Sequence, residues 1–209
     1  MLNQTFLPAS LYRGDAMHQW DIHTYANHYW HPVAPISHLQ PGEVLAITML
    51  DQPLLLTWPT GEHPRAFRNR CPHRGVAFRQ GGGTGQSCRR LVCPYHGWTY
   101  NLRGELLAAA READFEQDFD RQGWGLQELA CRIDGPLIWI AFSDQALTLE
   151  EQLQLVHTEA GAAWNTHPHC CDRAEATWPA IGRLPTTTHL TTTTSPLPIR
   201  QRCTANKGR

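Results

Sequence analysis

The chain has 209 residues, 41% hydrophobic and 18% charged, with 18 basic against 19 acidic side chains for a net charge of −1. That length allows one good-sized domain plus a remainder, and the balanced charge leaves no basic field to attract nucleic acid or an anionic membrane surface. The apolar runs Val44–Leu50 and Leu137–Phe142 fall far short of a membrane helix and the first residues lack the pattern of a secretory signal, so a soluble cytoplasmic protein is expected.

Residues 1–29 read as a mixed N-terminal lead, with His, Trp and Tyr scattered through Met17–Trp30. From about residue 30 the pattern turns to short strands. Glu43–Leu50 and Pro53–Trp58 are apolar runs joined by a turn at Asp51-Gln52-Pro53. Arg65–Asn69 leads into Cys71, and Arg90–Cys93 and Trp98–Tyr100 are short strand candidates. Asn101–Gly104 is a turn before Glu105–Leu107; Leu126–Ile133 and Leu137–Phe142 follow, with a tight connection at Asp134-Gly135-Pro136. Many short strands with Gly and Pro punctuation predict an all-β fold over 30–145, a small antiparallel sandwich or barrel. Thr148–Ala163 has an N-cap candidate, acidic residues in its first turn and apolar residues at helical spacing, which predicts a helix within a segment 146–178. Residues 179–209 include the low-complexity stretch PTTTHLTTTTSPLP, an irregular tail that cannot build a core.

Seven cysteines, an odd number without an export signal, argue against a disulfide framework and for reading Cys/His clusters as metal sites. The decisive cluster is Cys71-Pro72-His73-Arg74-Gly75 and Cys93-Pro94-Tyr95-His96-Gly97-Trp98, with nineteen residues from Arg74 to Val92 between the two ligand pairs. Each loop offers one thiolate and one imidazole, and Pro and Gly hold tight turns that bring two ligands to one point. Two Cys and two His also make a structural zinc set. Zinc fingers, however, pair like ligands in sequence, as Cys-x₂₋₄-Cys and His-x₃₋₅-His, whereas each loop here pairs unlike ones. The mixed pairing favours a [2Fe–2S] cluster in which two His replace two Cys on one iron, raising the potential from about −400 mV to about −150 mV or higher.

CPHRG…CPYHGW resembles the Rieske box of the ring-hydroxylating, or Rieske non-haem iron, oxygenases, in the N-terminal domain of their α subunit. The likeness covers about residues 20–145, including the W-x-P entry at Trp30–Pro32 and the closing strand LIWIAF. It implies one Rieske [2Fe–2S] cluster with Cys71 and Cys93 on one iron and His73 and His96 on the other. The somewhat long gap between the loops is expected to be absorbed by Gly81-Gly82-Gly83-Thr84-Gly85 in an exposed loop. Rieske proteins of the cytochrome bc type place an extra Cys in each loop; Val76 and Tyr95 stand at those positions, so the likeness is to the low-potential type. Cys88 reads as an ordinary buried or loop thiol, Tyr95 and Trp98 as packing rather than electron relays. Arg74 reads either as a donor to the centre or as a surface charge.

The resemblance further implies electrons from a reductase or ferredoxin, O₂-dependent substrate oxidation, and a homotrimer in intact relatives, with no nucleic-acid or membrane partner. Intact relatives also hold a mononuclear Fe(II) on two His and a carboxylate, in a D-x-x-H-x₄-H type segment. His157, His167, His169 and His189 lack that spacing, so the mononuclear ligands are absent from this chain as written. Redox activity without hydroxylation is the expectation for this polypeptide alone, and a stand-alone Rieske ferredoxin-type carrier is the alternative. The threonine run suggests a cause. Read one base out of frame, DNA encoding Thr191–Ile199 can specify D-D-Y-H-L-P-L-A-H, which resembles the oxygenase iron motif. A frame change between about Trp178 and Thr186 is therefore expected. Nucleotide sequencing should find that a single-base change opens a long frame through that motif; if none does, the tail is genuine.

Overall fold

The computed structural model describes residues 14–81, 83–115 and 119–166. The segment beyond residue 166, with the threonine run and the expected frame change, lies outside the described residues. The chain divides into two units, Ile22–Cys170 and a second comprising Met1–Asp21 with Cys171–Arg209. Of the second, only Gly14–Asp21 are described, and they open helix α1 (Asp15–His28).

Ten strands follow α1: β1 (Trp30–Pro35), β2 (Glu43–Met49), β3 (Gln52–Thr57), β4 (Arg65–Arg68), β5 (Gln86–Ser87), β6 (Leu91–Val92), β7 (Thr99–Tyr100), β8 (Leu106–Ala108), β9 (Glu128–Asp134) and β10 (Leu137–Ala141). Seven form an antiparallel sheet in the order β1-β10-β9-β4-β3-β2-β5, and β6-β7-β8 form a second. The seven-stranded sheet curls. Ala34 of β1, Leu45 of β2, Leu54 and Leu56 of β3, Ala66 of β4, Leu129 of β9 and Ile138 and Ile140 of β10 share one buried core. The all-β expectation of a small antiparallel sandwich or barrel is borne out.

Strands β2–β4 are covered on both faces, which explains why β3 departs from polar–apolar alternation. Leu54, Leu55, Leu56 and Thr57 are all fully buried. Leu54 and Leu56 point into the curled core, while Leu55, Val44, Ala46 and Phe67 join a second core shared with Cys71, Cys93, Trp98 and Tyr100. Thr57 crosses between the layers, its hydroxyl donating 2.7 Å to the Leu102 carbonyl. This middle ply is thus the floor under the two Cys/His loops.

The sequence places the β2–β3 turn at Asp51–Pro53; the structure places it earlier. Met49 pairs with Gln52, and Leu50 and Asp51 form the two-residue loop with φ of +48° and +58°. Pro53 lies inside β3 opposite Thr48, so the proline cue marked a strand start and not the turn. Positive φ at both positions is the turn whose twist suits a hairpin, usually made with Asn-Gly. Strand β5 and helix α1 have no counterpart in the sequence reading. Two residues carry no alternation to detect, and α1 shows no apolar stripe, with Trp20 and Tyr25 exposed.

The Gly81–Gly85 stretch is exposed at Gly81, Gly83 and Thr84, as expected, but Gly85 is not slack chain. Its N–H donates 2.6 Å to the His38 carbonyl, and a Cβ there would run into Glu43 and Leu39.

Helix α2 (Leu149–Ala160) begins at the expected N-cap, Thr148, which forms a capping box with Glu151. Leu149 and Leu153 pack on Trp30, Trp139 and Ala141, outside β1 and β10. The Gln152 amide accepts from the Trp30 N–H at 2.7 Å and donates to the Trp30 carbonyl at 2.8 Å, closing the start of β1 as a neighbouring strand would. Among the described residues no helix is long and apolar enough to cross a membrane.

Two outcomes test this account. Leu55→Ala should cost about 2–5 kcal/mol by chemical denaturation, because the cavity opens in a ply with no solvent-facing side. Asp51→Gly should raise the denaturation midpoint by about 0.5–1 kcal/mol equivalent, since glycine removes the penalty of a left-handed residue.

Candidate metal centre

The two Cys/His loops are built on one plan. In the first, the Cys71 N–H donates to the Val76 carbonyl at 2.9 Å and the Gly75 N–H to the Cys71 carbonyl at 2.7 Å. In the second, the Cys93 N–H donates to the Trp98 carbonyl at 2.8 Å and the Gly97 N–H to the Cys93 carbonyl at 3.0 Å. Each loop is therefore a six-residue ring of chain closed on its cysteine. Gly75 and Gly97 occupy equivalent positions with φ of +73° and +70°, the left-handed region that a side chain disfavours. The histidines break the equivalence, His73 standing two residues and His96 three residues after its cysteine.

Different elements hold the two loops. The second is the connection between β6 and β7. The first leaves β4 and is braced by Asn69, which is buried. The Asn69 amide donates 2.8 Å to the Arg79 carbonyl and accepts 2.9 Å from the Phe78 N–H, so both ends of the loop are tied together. Sequence reasoning passed over Asn69 as a strand end.

The four predicted residues come together as two pairs. Cys71 and Cys93 are 2% and 3% exposed and lie in one buried core cluster. His73 and His96 are half-buried with their Nδ1 atoms 3.0 Å apart and ring centroids at 4.7 Å. That approach is near the ~3.4 Å expected between two nitrogens each ~2.1 Å from one tetrahedral ion. Among the described residues, no three or more His, Cys, Asp or Glu side chains converge as a single ion requires. Two buried thiols beside two half-buried imidazoles are the donor set that a [2Fe–2S] cluster of mixed ligation takes.

Aromatic rings fix the imidazoles. The Trp98 indole lies parallel to His73, 4.8 Å away at 3°, and is itself held edge-on by Phe115, Phe119 and Trp124. The Tyr95 ring stacks on His96 at 3.7 Å while remaining exposed. Both rings thus pack against the imidazoles. Tyr100, which the sequence reading took only as a strand residue, places its hydroxyl 3.9 Å from the Cys71 sulfur. Burial, reinforced by the neighbouring Cys71, pushes the Tyr100 phenol far above its ordinary range, so it stays protonated and able to donate. Burial likewise pushes the Cys71 thiol up, and a metal must displace its proton. Burial, with lesser contributions from His96 and Arg74, holds His73 below the usual imidazole value, leaving it neutral with a lone pair to offer.

Arg74 is exposed and acts on His73 through charge. Cys88 behaves as an ordinary loop thiol, donating 3.0 Å to the Arg90 carbonyl and accepting 3.2 Å from Arg79. The described cysteines, Cys71, Cys88, Cys93 and Cys131, are all free, so no disulfide joins the loops.

A curled antiparallel body carrying two Cys/His loops over a separate three-stranded sheet defines a Rieske-type domain. The family profile described as Rieske [2Fe-2S] domain matches residues 29–117, and that segment is a Rieske domain. The chain is 31% identical over 125 residues to the carnitine monooxygenase oxygenase subunit of Acinetobacter baumannii, covering 59% of this chain and 33% of that protein. It is 30% identical over 149 residues to the glycine betaine monooxygenase oxygenase subunit of Chromohalobacter salexigens, covering 70% and 32%. Among solved structures, the apo form of the quaternary ammonium Rieske monooxygenase CntA superposes with a TM-score of 0.65 at 26% identity, over 75% of this chain and 46% of that one. The chain spans about a third of the length of these curated relatives.

The loop geometry carries its own test. Nothing lies within 4 Å of a Cβ added at Gly97, so Gly97→Ala should cost about 1–2 kcal/mol in denaturation from backbone strain alone, and Gly97→Asn less.

Proposed function

We propose that Cys71, Cys93, His73 and His96 hold one Rieske [2Fe–2S] cluster and that this domain passes single electrons. The observation that carries the reading is the sorting of the donors, with two thiols in the core and two imidazoles at the surface. When bound, the group supplies a one-electron store whose potential, with two His in place of two Cys, lies between about −150 and +300 mV. The residues around it do the rest. Cys71 and Cys93 anchor the group in the core, away from water. His73, held neutral by burial, and His96 are both half-exposed, which places the edge that a redox partner can approach at the surface. Trp98 and Tyr95 hold the two ring planes, and Tyr100 offers a hydrogen bond toward the Cys71 sulfur, a contact that favours the more negative state of that sulfur.

The likeness to oxygenase subunits supports a place in O₂-dependent substrate oxidation, with a reductase or ferredoxin as donor and a mononuclear iron as acceptor. The described residues contain one set of redox donors and no three-ligand set for a second iron. Delivery to oxygen chemistry therefore calls on groups other than those described.

Visible absorption and EPR of protein made with iron and sulfide, before and after dithionite, test the proposal. A broad visible spectrum that bleaches on reduction, with a rhombic reduced signal, is expected. His96→Cys should retain iron while shifting the potential down toward the all-cysteine range of about −400 mV. A colourless protein carrying one zinc would overturn the assignment.

A further inference from the structure

The net charge of −1 conceals a division along the chain. Between Glu62 and Glu105 there is no acidic residue and there are eight arginines, and both Cys/His loops lie within that interval. Two of the eight are neutralised, Arg65 by Glu128 and Arg103 by Glu62. Among the described residues the other six, Arg68, Arg70, Arg74, Arg79, Arg89 and Arg90, form no ion pair with a carboxylate. Arg68 donates to Gln52 and Arg79 to Gln86, both uncharged. Arg70, Arg74, Arg89 and Arg90 are exposed.

Their placement is not diffuse. Arg68, Arg70 and Arg74 line one open groove together with Cys71, His73 and Gln127. Arg89 and Arg90 lead into β6 and so into the second loop. Of the acidic residues described after the second loop, Glu112 is paired with Arg121 and Asp114 with Arg111.

From this we infer that the groove beside His73 is the docking surface for an acidic protein, the electron donor of the domain. The inference rests on the electron-transfer reading above and names the chemistry of its partner. Uncompensated guanidinium groups beside a half-exposed imidazole attract and orient an anionic surface. They bring its redox group to the edge of the domain where the imidazoles lie, and they do so mainly through the association rate. Arginine suits the role because it is always charged and forks onto carboxylates.

The test is stopped-flow electron transfer with two probe proteins of opposite charge. A reduced, acidic plant-type [2Fe–2S] ferredoxin donates one electron to the oxidised domain; oxidised cytochrome c, which is basic, accepts one from the reduced domain. Raising ionic strength should slow the ferredoxin reaction about tenfold or more and leave the cytochrome reaction unchanged or faster. At low salt, Arg70→Glu should slow the ferredoxin reaction severalfold and flatten its dependence on ionic strength, which a shift of potential alone does not do, with the visible and EPR spectra unchanged. Arg89→Glu, farther in sequence from the ligands, should act in the same direction if the loop-flanking variant disturbs the spectra. Arg132→Gln, on β9 and paired with Glu150, removes a charge elsewhere and should alter neither rate. A domain with the Rieske spectrum but no salt dependence, or with Arg132→Gln as damaging as the groove variants, overturns the docking surface alone. A chain without the spectrum overturns the electron-transfer reading and this inference with it.

Discussion

Everything at the metal centre depends on one backbone device, a loop closed on its own cysteine. The Cys N–H reaches the carbonyl five residues on, and the glycine N–H four residues on returns to the Cys carbonyl. The ring of chain that results has little freedom. Its cysteine is held at the base, inside the core, and the residues between arch over it. The histidine therefore stands above the thiol whether it comes two or three residues later, and the same closure used twice yields two thiols below and two imidazoles above. Glycine is required where the arch turns back, because the chain there runs at positive φ.

Such loops need a floor that does not yield. A curled sheet with one face open to solvent would leave the thiols beside water, where a bound group could be lost by hydrolysis or exchange. Covering β2–β4 on both faces avoids this. Leu54 and Leu56 secure the ply from one side, and Leu55 and Phe67 present a hydrocarbon surface to Cys71 and Cys93 on the other. The consequence is electrostatic as well as mechanical. A low-dielectric floor disfavours the Cys71 thiolate and the His73 imidazolium alike. A metal bound there would displace the Cys71 proton.

What the sequence made legible follows from range. The donors, the glycines and the Thr148–Glu151 cap are local patterns whose physics is settled within six residues, and each stands where the sequence put it. Strand positions were nearly as clear, because short apolar runs between Gly and Pro have few alternatives. Features that depend on distant chain were not readable. Nothing near Tyr100 says that its hydroxyl will face Cys71, twenty-nine residues away. Nothing near Asn69 says that it will tie down Phe78 and Arg79. Strand β5 exists only because Glu43 and Val44 offer it an edge. Helix α1 has no apolar stripe, so periodicity was silent, while the Leu50-Asp51 turn was misplaced because its residues are poor signals for the conformation they adopt.

The charge pattern was overlooked for a related reason, since a sum over the chain cannot show where charges sit. Seventeen of the eighteen basic residues are arginine, and almost half of those fall between Glu62 and Glu105. Three of those without carboxylate partners among the described residues, Arg68, Arg70 and Arg74, line the groove at His73, and positive charges there act on the site in a single direction. They favour thiolate over thiol, neutral imidazole over imidazolium, and an added electron over its absence. Those are the three states that binding a cluster and reducing it demand. Burial opposes the first and supports the second, so the arginines compensate for the part of the low-dielectric floor that works against loading. A partner that neutralised these charges on docking would weaken the hold on the added electron. Contact would then favour its onward transfer, and the charge that draws a donor in would also help set the direction of electron flow.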